Sequence, residues 1–188
     1  WNWLASKTTA SNTDGSITST VSANTTSGFS IVSYTGTGAN ATVGHGLSSA
    51  PACYVVKSRD TAYDWRMYHQ GIGETKYLNL NQTIAAVTAS NAWNDTAPTS
   101  SVFSLGSGST VNQSGDDFIA YCFAEKKGYS KFGSYEGNGN ADDGTFVYTG
   151  FAPAWVMIKR TDSISQWCII DNKRPGYNIA VNTLFANL

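Results

Sequence analysis

Short runs in which apolar and polar residues alternate dominate the pattern along the chain. The run FSIVSYTG, which begins at Phe29, alternates and is rich in β-branched and aromatic residues. This pattern is typical of a strand with one buried face. Two short apolar runs, ACYVVKSR from Ala52 and AWVMIKRT from Ala154, end in charged, turn-forming residues and also predict strands.

Further strand signals fill most of the remaining chain, with glycine-rich turns such as GTGAN and GSGST between them. The one helix candidate is TIAAVTASNAW from Thr83, and its β-branched, Ser- and Asn-rich composition suits a helix poorly. The pattern therefore predicts an all-β fold of antiparallel sandwich or jelly-roll units.

The chain also repeats its own phrases in the same order, which is the signature of tandem structural units. GFSIVSYTGTG returns as GYSKFGSYEGNG, and YVVKSRD returns as VMIKRTD. The matched landmarks are Gly28 with Gly128, Tyr34 with Tyr135, Gly36 with Gly137, Gly38 with Gly139, Pro51 with Pro153, Tyr54 with Val156, Asp60 with Asp162, and Trp65 with Trp167. The glycines follow an alternating strand, where glycine permits a positive φ.

The repeat divides the chain into three predicted parts. Residues 1–27 hold the last strand of a preceding unit, WNWLA, followed by a Ser/Thr-rich linker with one polar strand near SITSTVS. Residues 28–127 form the first complete unit. Residues 128–188 form a second unit that is incomplete at its C-terminal side, because it lacks a counterpart of residues 101–125.

Composition and charge narrow the classes of function. Charged residues make up only 13% of the 188 residues, and the formal net charge is −1. Nucleic-acid binding requires an excess of Lys and Arg, so we expect no nucleic-acid partner. No apolar run is long enough to span a membrane, so we expect no membrane insertion. A surface built from Ser, Thr, Asn and Gly suits β-rich extracellular or viral proteins.

The cysteines and oxygen-rich turns do not indicate a metal or cofactor. Cys53, Cys122 and Cys168 are odd in number and form no CxxC pair, which favours free thiols over a disulfide framework or a zinc site. The segment NGNADDG, residues 138–144, could supply oxygen ligands to Ca²⁺, but it lacks the EF-hand spacing and we favour a plain turn. We expect no metal and no cofactor.

The order of these phrases resembles that of a known family. The stretch GFSIVSYTGTG…VGHGLSSAPACYVVKSRD…W, followed by TKYLNLN…VNQSGDDFIAYCFAEKKGYSKFGSYEGNG, resembles the repeated β-domain of tail-fibre-like structural proteins of marine bacteriophages. The resemblance extends from residue 1 to residue 188. It implies a virion component near the host-contacting end, and it implies no catalytic residues.

Catalysis is not expected from the residues themselves. A glycan-cleaving enzyme requires two carboxylates at one site, whereas the acidic residues here are mostly turn residues. Asp60 and Asp162 occupy matched repeat positions, which favours a structural role in turns. His45 and His69 do not recur in the second unit, and we interpret both as partly exposed residues at strand ends. We therefore predict that the protein is not an enzyme.

Aromatic residues are the candidate ligand contacts. Sugar rings stack on aromatic side chains while their hydroxyls bond amides and carboxylates. Tyr63, Trp93 and Tyr177 lie in loop-like stretches beside such groups and are the predicted ligand-binding residues. Trp65 and Trp167 recur in the repeat, so we assign both to the core.

The leading hypothesis is a virion structural protein, a tail-fibre or appendage module that attaches to host-surface glycans. It would be assembled in the host cytoplasm and carried on the extracellular particle. Its expected partners are other virion proteins and further copies of itself in a homo-oligomer, with a trimer as one option. The alternatives are a secreted lectin-like carbohydrate-binding module and, third, a glycan depolymerase.

Overall fold

The computed structural model describes residues 2–174 and 182–188. Within them the chain forms thirteen strands and two four-residue helices. In chain order these are β1 (Ala10–Asn12), β2 (Ser19–Asn24), β3 (Phe29–Thr35), β4 (Ala41–Gly44), β5 (Cys53–Ser58), β6 (Arg66–His69), β7 (Lys76–Asn79), β8 (Val87–Thr88), α1 (Ser90–Trp93), β9 (Val102–Leu105), α2 (Ser109–Asn112), β10 (Asp117–Phe123), β11 (Trp155–Lys159), β12 (Trp167–Asp171) and β13 (Leu184–Phe185).

The main sheet has eight strands in the order β1-β2-β3-β10-β5-β6-β7-β8. A two-stranded sheet pairs β4 with β9, and a three-stranded sheet has the order β11-β12-β13. Every strand pair is antiparallel. The prediction of an all-β, antiparallel fold is therefore confirmed.

Strand β10 is central to the main sheet, because it pairs with β3 on one side and with β5 on the other. Its buried positions alternate: Phe118, Ala120 and Cys122 are completely buried, while the residues between them are partly exposed. Successive side chains of a strand point to opposite faces. The alternation seen in the sequence is thus the alternation between the two faces of this sheet.

The first face of the main sheet is covered by β4, β9 and the two short helices. Here Tyr54 stacks on Tyr68, with ring centroids 4.7 Å apart, and the rings of Trp93 and Phe103 pack against Tyr54. Such aromatic clusters bury large apolar areas and dominate the energetics of a core. This side of the sheet is the main hydrophobic core.

The second face of the main sheet is partly covered by the β11-β12-β13 sheet. Val55, Met67 and Leu78 are buried there against Trp167 from β12. Met157 from β11 packs against the same cluster. The β11-β12 hairpin therefore docks on the second face of the main sheet.

The polar strand predicted near SITSTVS within residues 6–27 is present as β2, but the segment is part of the main sheet and not a plain linker. β1 pairs with β2, and β2 pairs with β3, so this segment forms the edge of the main sheet. Ile17 and Val21 are buried, and the Ser19 hydroxyl donates to the carbonyl of Gly44 at 2.9 Å. The predicted strand at Trp1–Ala5 does not form either: residues 2–9 contain no strand, and residue 1 lies outside the described residues.

Residues 128–154 contain no strand, so the strands of the predicted second β unit begin at Trp155. Several large side chains in this segment are open to solvent, with Phe146 at 87% and Tyr148 at 79% exposure. In the first unit the corresponding segment contains β4, whose Val43 is completely buried against β9.

In the matched phrases GTG and GNG, which begin at Gly36 and Gly137, the second glycine has the predicted positive φ and the first does not; the glycine that opens each repeat also has a positive φ. Gly28 and Gly128 have φ of 71° and 77°, and Gly38 and Gly139 have φ of 74° and 70°. A side chain on Gly28 would also meet the carbonyl oxygen of Ala124 at 2.5 Å. Residues with a Cβ rarely adopt this region, so glycine is required where these turns close.

Two hairpins share one register. Val55 pairs with Met67 in β5 and β6, and 102 residues later Met157 pairs with Ile169 in β11 and β12. A backbone hydrogen bond that flanks each hairpin repeats as well. The N–H of Gln70 donates to the carbonyl of Ala52 at 2.8 Å, and that of Asn172 donates to the carbonyl of Ala154 at 3.0 Å.

A side-chain contact repeats at the next strand. The backbone N–H of Trp65 donates to Oδ1 of Asn81 at 3.0 Å, and that of Trp167 donates to Oδ1 of Asn187 at 2.9 Å. In both cases an asparagine just after the third strand of the hairpin sheet holds the start of the second strand.

Candidate functional site

Several hydrogen bonds and buried side chains join the main sheet to the β11-β12-β13 sheet. We call this contact the joint, and define it as the loop 79–86 together with residues 159–167. Nε1 of Trp167 donates to the carbonyl of Asn79 at 2.9 Å. The backbone N–H of Ser165 donates to the carbonyl of Thr83 at 2.9 Å, and that of Ala86 donates to the carbonyl of Thr161 at 2.8 Å.

The joint combines these directional bonds with apolar burial. Trp167 is only 2% exposed, and its ring lies among the side chains of Val55, Met67 and Leu78. Nζ of Lys159 donates to the carbonyl of Thr83 at 3.3 Å and adds a fourth hydrogen bond across the joint. Hydrogen bonds fix relative orientation, while apolar burial supplies most of the free energy. The joint is built to hold the two sheets in one orientation.

A carboxylate organises the loop on the main-sheet side of the joint. Asp64, just before β6, accepts hydrogen bonds from the side-chain amides of Asn79, Asn81 and Gln82, at 3.3, 3.0 and 2.8 Å. We call these four residues the Asp64 cluster. Hydrogen bonds to an ionised acceptor are stronger than neutral ones. The cluster fixes the end of β7 and the loop that receives Trp167.

The Asp64 cluster has an open side with polar and aromatic groups. Asn81 is exposed at the surface, and Tyr63 and Trp65 are half-buried beside it. The Trp65 ring lies parallel to Tyr121, with an interplanar angle of 18° and a centroid distance of 6.4 Å. Amide groups next to partly exposed rings can bond and stack on a sugar, so this surface has the chemistry that glycan contact requires.

The predicted ligand-binding residues do not form one site. Tyr63 is half-buried and precedes Asp64 in the chain, and its role as a ligand contact stays a prediction. Tyr177 lies outside the described residues. Trp93 is completely buried in the main core, and its Nε1 donates to the carbonyl of Lys76 at 3.0 Å. The prediction that Trp93 is an exposed ligand contact is therefore wrong, because α1 turns its ring inward against Tyr54.

The two matched tryptophans differ in burial. Trp167 is buried, as predicted for a core residue, whereas Trp65 is only partly buried at the margin of the same cluster. Trp167 thus lies in the core as predicted, whereas Trp65 packs only against the margin of that core. The two rings belong to one cluster because the second hairpin docks on the face that carries Trp65.

A second surface feature gave no signal in the sequence. A cleft of about 190 Å³ opens where β2, β3 and β10 lie side by side. Its lining includes the hydroxyls of Thr18, Thr20, Ser33 and Thr35, together with Arg59 and Asp117. These residues are far apart in the chain, and only the pairing of the strands assembles them. The cleft is polar, and the aromatic rings in its lining, Tyr34 and Phe118, are buried.

The carboxylates near this cleft have structural roles. Oδ2 of Asp60 accepts the backbone N–H of Asp117 at 2.6 Å, and Oδ2 of Asp116 accepts the hydroxyl of Ser58 at 3.2 Å. Asp60 therefore links the turn after β5 to the start of β10, and does not close its own turn. Its repeat partner Asp162 instead binds Arg160, which lowers the pKa of that carboxyl.

His45, Cys53 and Cys122 are buried, whereas His69 and Cys168 are partly buried. His45 is completely buried, so its interpretation as a partly exposed residue is wrong; burial lowers its pKa. Burial raises the pKa of Cys53, and it raises that of Cys122 to about 12, so neither thiol is an activated nucleophile. Within the described residues, no group of three or more His, Cys, Asp or Glu side chains could hold a metal ion.

None of the helices formed by the described residues has the length and apolar character that crossing a membrane requires. No curated protein and no solved structure matches the chain significantly. Residues 1–188 match the family model described as a domain of unknown function, DUF7483. The chain belongs to this family.

Proposed function

We propose that this DUF7483 member is a structural module of a virion tail fibre, built from β units that pack against each other in pairs through the joint. The observation that carries the proposal is the repeated hairpin register together with the docking of the second hairpin on the first. Repeated units that contact their neighbours add stability unit by unit and produce elongated proteins. An appendage that must project from a particle requires this behaviour.

The repeat supports tandem units in detail. The hairpin register, the flanking backbone bond and the Trp-to-Asn bond all recur in the same order. A chance similarity of short phrases would reproduce neither the shared hairpin register nor the Trp-to-Asn bond. We therefore assign the β11-β12-β13 sheet to a second unit of the same fold.

The joint supports a fixed geometry between units. A flexible linker would leave neighbouring units free to rotate, whereas Trp167 donates a hydrogen bond through Nε1 and packs against side chains of the first unit. A pair of units held in this way has one relative orientation, which a rigid fibre on a particle requires.

Attachment to host-surface glycans is the second part of the proposal. With a net charge of −1 the surface cannot rely on long-range charge steering. The open side of the Asp64 cluster, with Tyr63 and Asn81, offers a ring and amide groups at short range. The fibre's other partners would be virion proteins and further copies of the chain in a homo-oligomer, with a trimer as one option.

Labelling of virus particles tests the structural part. Antibody fragments raised against residues 1–188 and coupled to gold should mark a tail appendage in electron micrographs of the virus that encodes the chain. Label found only in the culture fluid would favour the secreted lectin-like module. Release of reducing ends from host polysaccharide at a catalytic rate would favour the depolymerase and contradict the proposal that the protein is not an enzyme.

A further inference from the structure

The docked hairpin covers only part of the second face of the main sheet. Val55 on β5 is buried there, and its pairing with Tyr121 on β10 places both side chains on this face. Between Tyr121 and the start of β10, and across the paired parts of β3 and β2, the side chains of the face are partly or fully exposed. We call this surface the open face and define it by Thr20, Ser33, Thr35, Asp117, Ile119 and Tyr121.

The polar cleft at one end of the open face contains a cationic donor and an anionic acceptor. Arg59 and Asp117 both line it, and the backbone N–H of Arg59 donates to the carbonyl of Asp117 at 2.8 Å, which holds the two residues side by side. The ion pairs among the described residues include none with Arg59. Oδ1 of Asp117 accepts the hydroxyl of Thr35 at 2.8 Å. The guanidinium and Oδ2 of Asp117 are therefore available to a ligand.

This pair of charges selects the chemistry of the ligand. A guanidinium only donates hydrogen bonds and a carboxylate only accepts them, so a group that contacts both must offer a lone pair and a proton. A hydroxyl offers both, whereas Asp117 would repel a carboxylate or phosphate and Arg59 would repel an ammonium group. The hydroxyls of Thr20 and Ser33 line the same cleft and can both donate and accept. The cleft therefore fits a neutral, hydroxyl-rich ligand.

The other end of the open face carries aromatic rings. Tyr121 is half-buried and follows Asp117 by four residues on the same face of β10, a distance of about 14 Å along a strand. The ring of Trp65 lies parallel to that of Tyr121, and the half-buried side chain of Ile119 lies between Tyr121 and the cleft. Apolar faces of sugars stack on such rings. The span from the cleft to the rings exceeds one sugar and matches a chain of several.

We propose that the open face binds a neutral glycan chain that lies along β10, with hydroxyls in the cleft and one sugar ring on Tyr121. This proposal rests on the attachment part of the proposed function and extends its surface from the Asp64 cluster to the cleft. Trp65 connects the two areas, because its ring lies against Tyr121 and its backbone N–H donates to Asn81 of the cluster.

Binding of the full chain to defined glycans tests the proposal. The chain of 188 residues is coupled to fluorescent beads through a C-terminal biotin, because many copies on one bead make weak single sites measurable. The neutral probes are immobilised maltohexaose, laminarihexaose and mannohexaose. The acidic probes are hexagalacturonate and a sulfated heparin hexasaccharide. We expect at least one neutral probe to bind the beads at least about fivefold more strongly than either acidic probe.

Three substitutions locate the site on the open face. Arg59→Gln and Asp117→Asn should each weaken binding to the best neutral probe at least about fivefold, because hydrogen bonds to charged groups are the stronger ones. Both residues are exposed, and Asn at position 117 still accepts the hydroxyl of Thr35, so the melting temperature should not change. Tyr121→Leu should weaken binding by about 2–10-fold through the loss of stacking.

Two exposed charged residues outside the open face provide matched controls. Lys127→Gln and Asp95→Asn remove one charge of each sign and should bind as the wild type does. The melting temperature of every variant is measured alongside binding. If Arg59→Gln and Asp117→Asn lose binding only together with a lower melting temperature, their role is structural and the proposal is wrong.

The remaining outcomes separate the site from the attachment role. Equal binding by the wild type and the Arg59 and Asp117 variants would overturn the open face as the site and leave attachment to another surface. Preference for an acidic probe, or no affinity for any neutral probe, would overturn the proposal as well. Binding of assembled fibres to host cells and gold labelling of particles are measured independently, so a failure of the proposed function is distinguishable from a failure of this site.

Discussion

Trp93 shows how a single residue can be misjudged from its neighbours in the chain. The sequence NAWNDTAP around it is polar and loop-like, which is typical of an exposed segment. In the structure α1 is a single turn, and it directs Ala92 and Trp93 into the core. A helix of four residues is too short to show a periodic pattern, so the sequence alone could not predict this burial.

Replacement of Trp93 by Ala should destabilise the first unit by about 3–5 kcal/mol, as for other large-to-small changes in a core. The ring packs against Tyr54 and Tyr68 and donates a hydrogen bond to Lys76. Trp93→Phe keeps most of the volume and should cost less. Urea unfolding monitored by circular dichroism measures the free energy of unfolding of both variants. If Trp93→Ala leaves this free energy unchanged, the ring lies at the surface and not in the core.

His45 gives a prediction for the effect of pH. Nδ1 accepts the backbone N–H of Leu47 at 3.2 Å, and Nε2 lies 3.2 Å from the carbonyl of Thr99. The ring is therefore neutral, with its proton on Nε2. Burial lowers the pKa of folded His45 below its ordinary value of about 6.5. Protonation would also break the bond from Leu47.

The direction in which pH changes the stability depends on whether the folded or the unfolded chain binds the proton more readily. Since the unfolded chain binds a proton at His45 more readily, this contribution to stability is complete above about pH 6.5 and is lost as the pH falls below that value. We expect the free energy of unfolding to fall between about pH 7 and about pH 5, and His45→Gln to reduce this fall. Burial also lowers the pKa of His69, so His69→Gln is the matched comparison. An identical pH profile for wild type and His45→Gln would contradict the assignment.

At the scale of elements, the strands with alternating apolar residues could be predicted from the sequence. β3 and β10 are rich in β-branched and aromatic residues, and they pair with each other in the main sheet. The polar strand predicted near SITSTVS is present as β2, whereas β1 was missed because its three residues, Ala, Ser and Asn, show no apolar pattern. Pairing of β2 with β3 and burial of Val21, which no count of apolar residues would single out, hold the β1-β2 hairpin in the sheet.

The docking of the second hairpin could not be predicted from the repeat. Matched phrases indicate that two segments share a structure, but they do not specify which faces meet. In the structure Val55 and its counterpart Met157 lie in the same cluster, so equivalent faces of the two hairpins meet. Trp167 is the residue through which this contact is best tested.

Trp167→Ala should weaken the joint without unfolding the first unit. The substitution removes a buried ring and its hydrogen bond to the carbonyl of Asn79. Substitution of a buried Trp by Ala lowers the free energy of unfolding by about 3–5 kcal/mol. We expect faster proteolysis within residues 126–188, while the main transition of the first unit persists. Ile164→Ala is the control, since Ile164 is in the same turn region but 74% exposed. Equal proteolysis of the two variants would exclude Trp167 as the anchor.

At the scale of the whole molecule, low charge and repetition act together. A surface with 13% charged residues and a net charge of −1 would bind a neutral glycan through stacking and hydrogen bonds, and single sites of that kind are weak. Linkage of many units raises avidity by roughly 10²–10⁴-fold when the geometry allows simultaneous contact. A fixed joint favours such geometry because it presents every unit in a defined orientation.

We therefore expect assembled fibres to bind host cells well and the isolated chain to bind poorly. Tyr63→Ala should weaken binding of the fibre without lowering its melting temperature, because Tyr63 is only half-buried beside the Asp64 cluster. Tyr135→Ala is a matched control on an exposed residue away from that cluster. Binding should also change little between about 50 and about 500 mM salt, since screening weakens only charge-driven contacts. A steep loss of binding with rising salt, or equal effects of the two tyrosine variants on binding, would assign attachment to a different surface. If the assembled fibre binds no host surface, only the structural role remains.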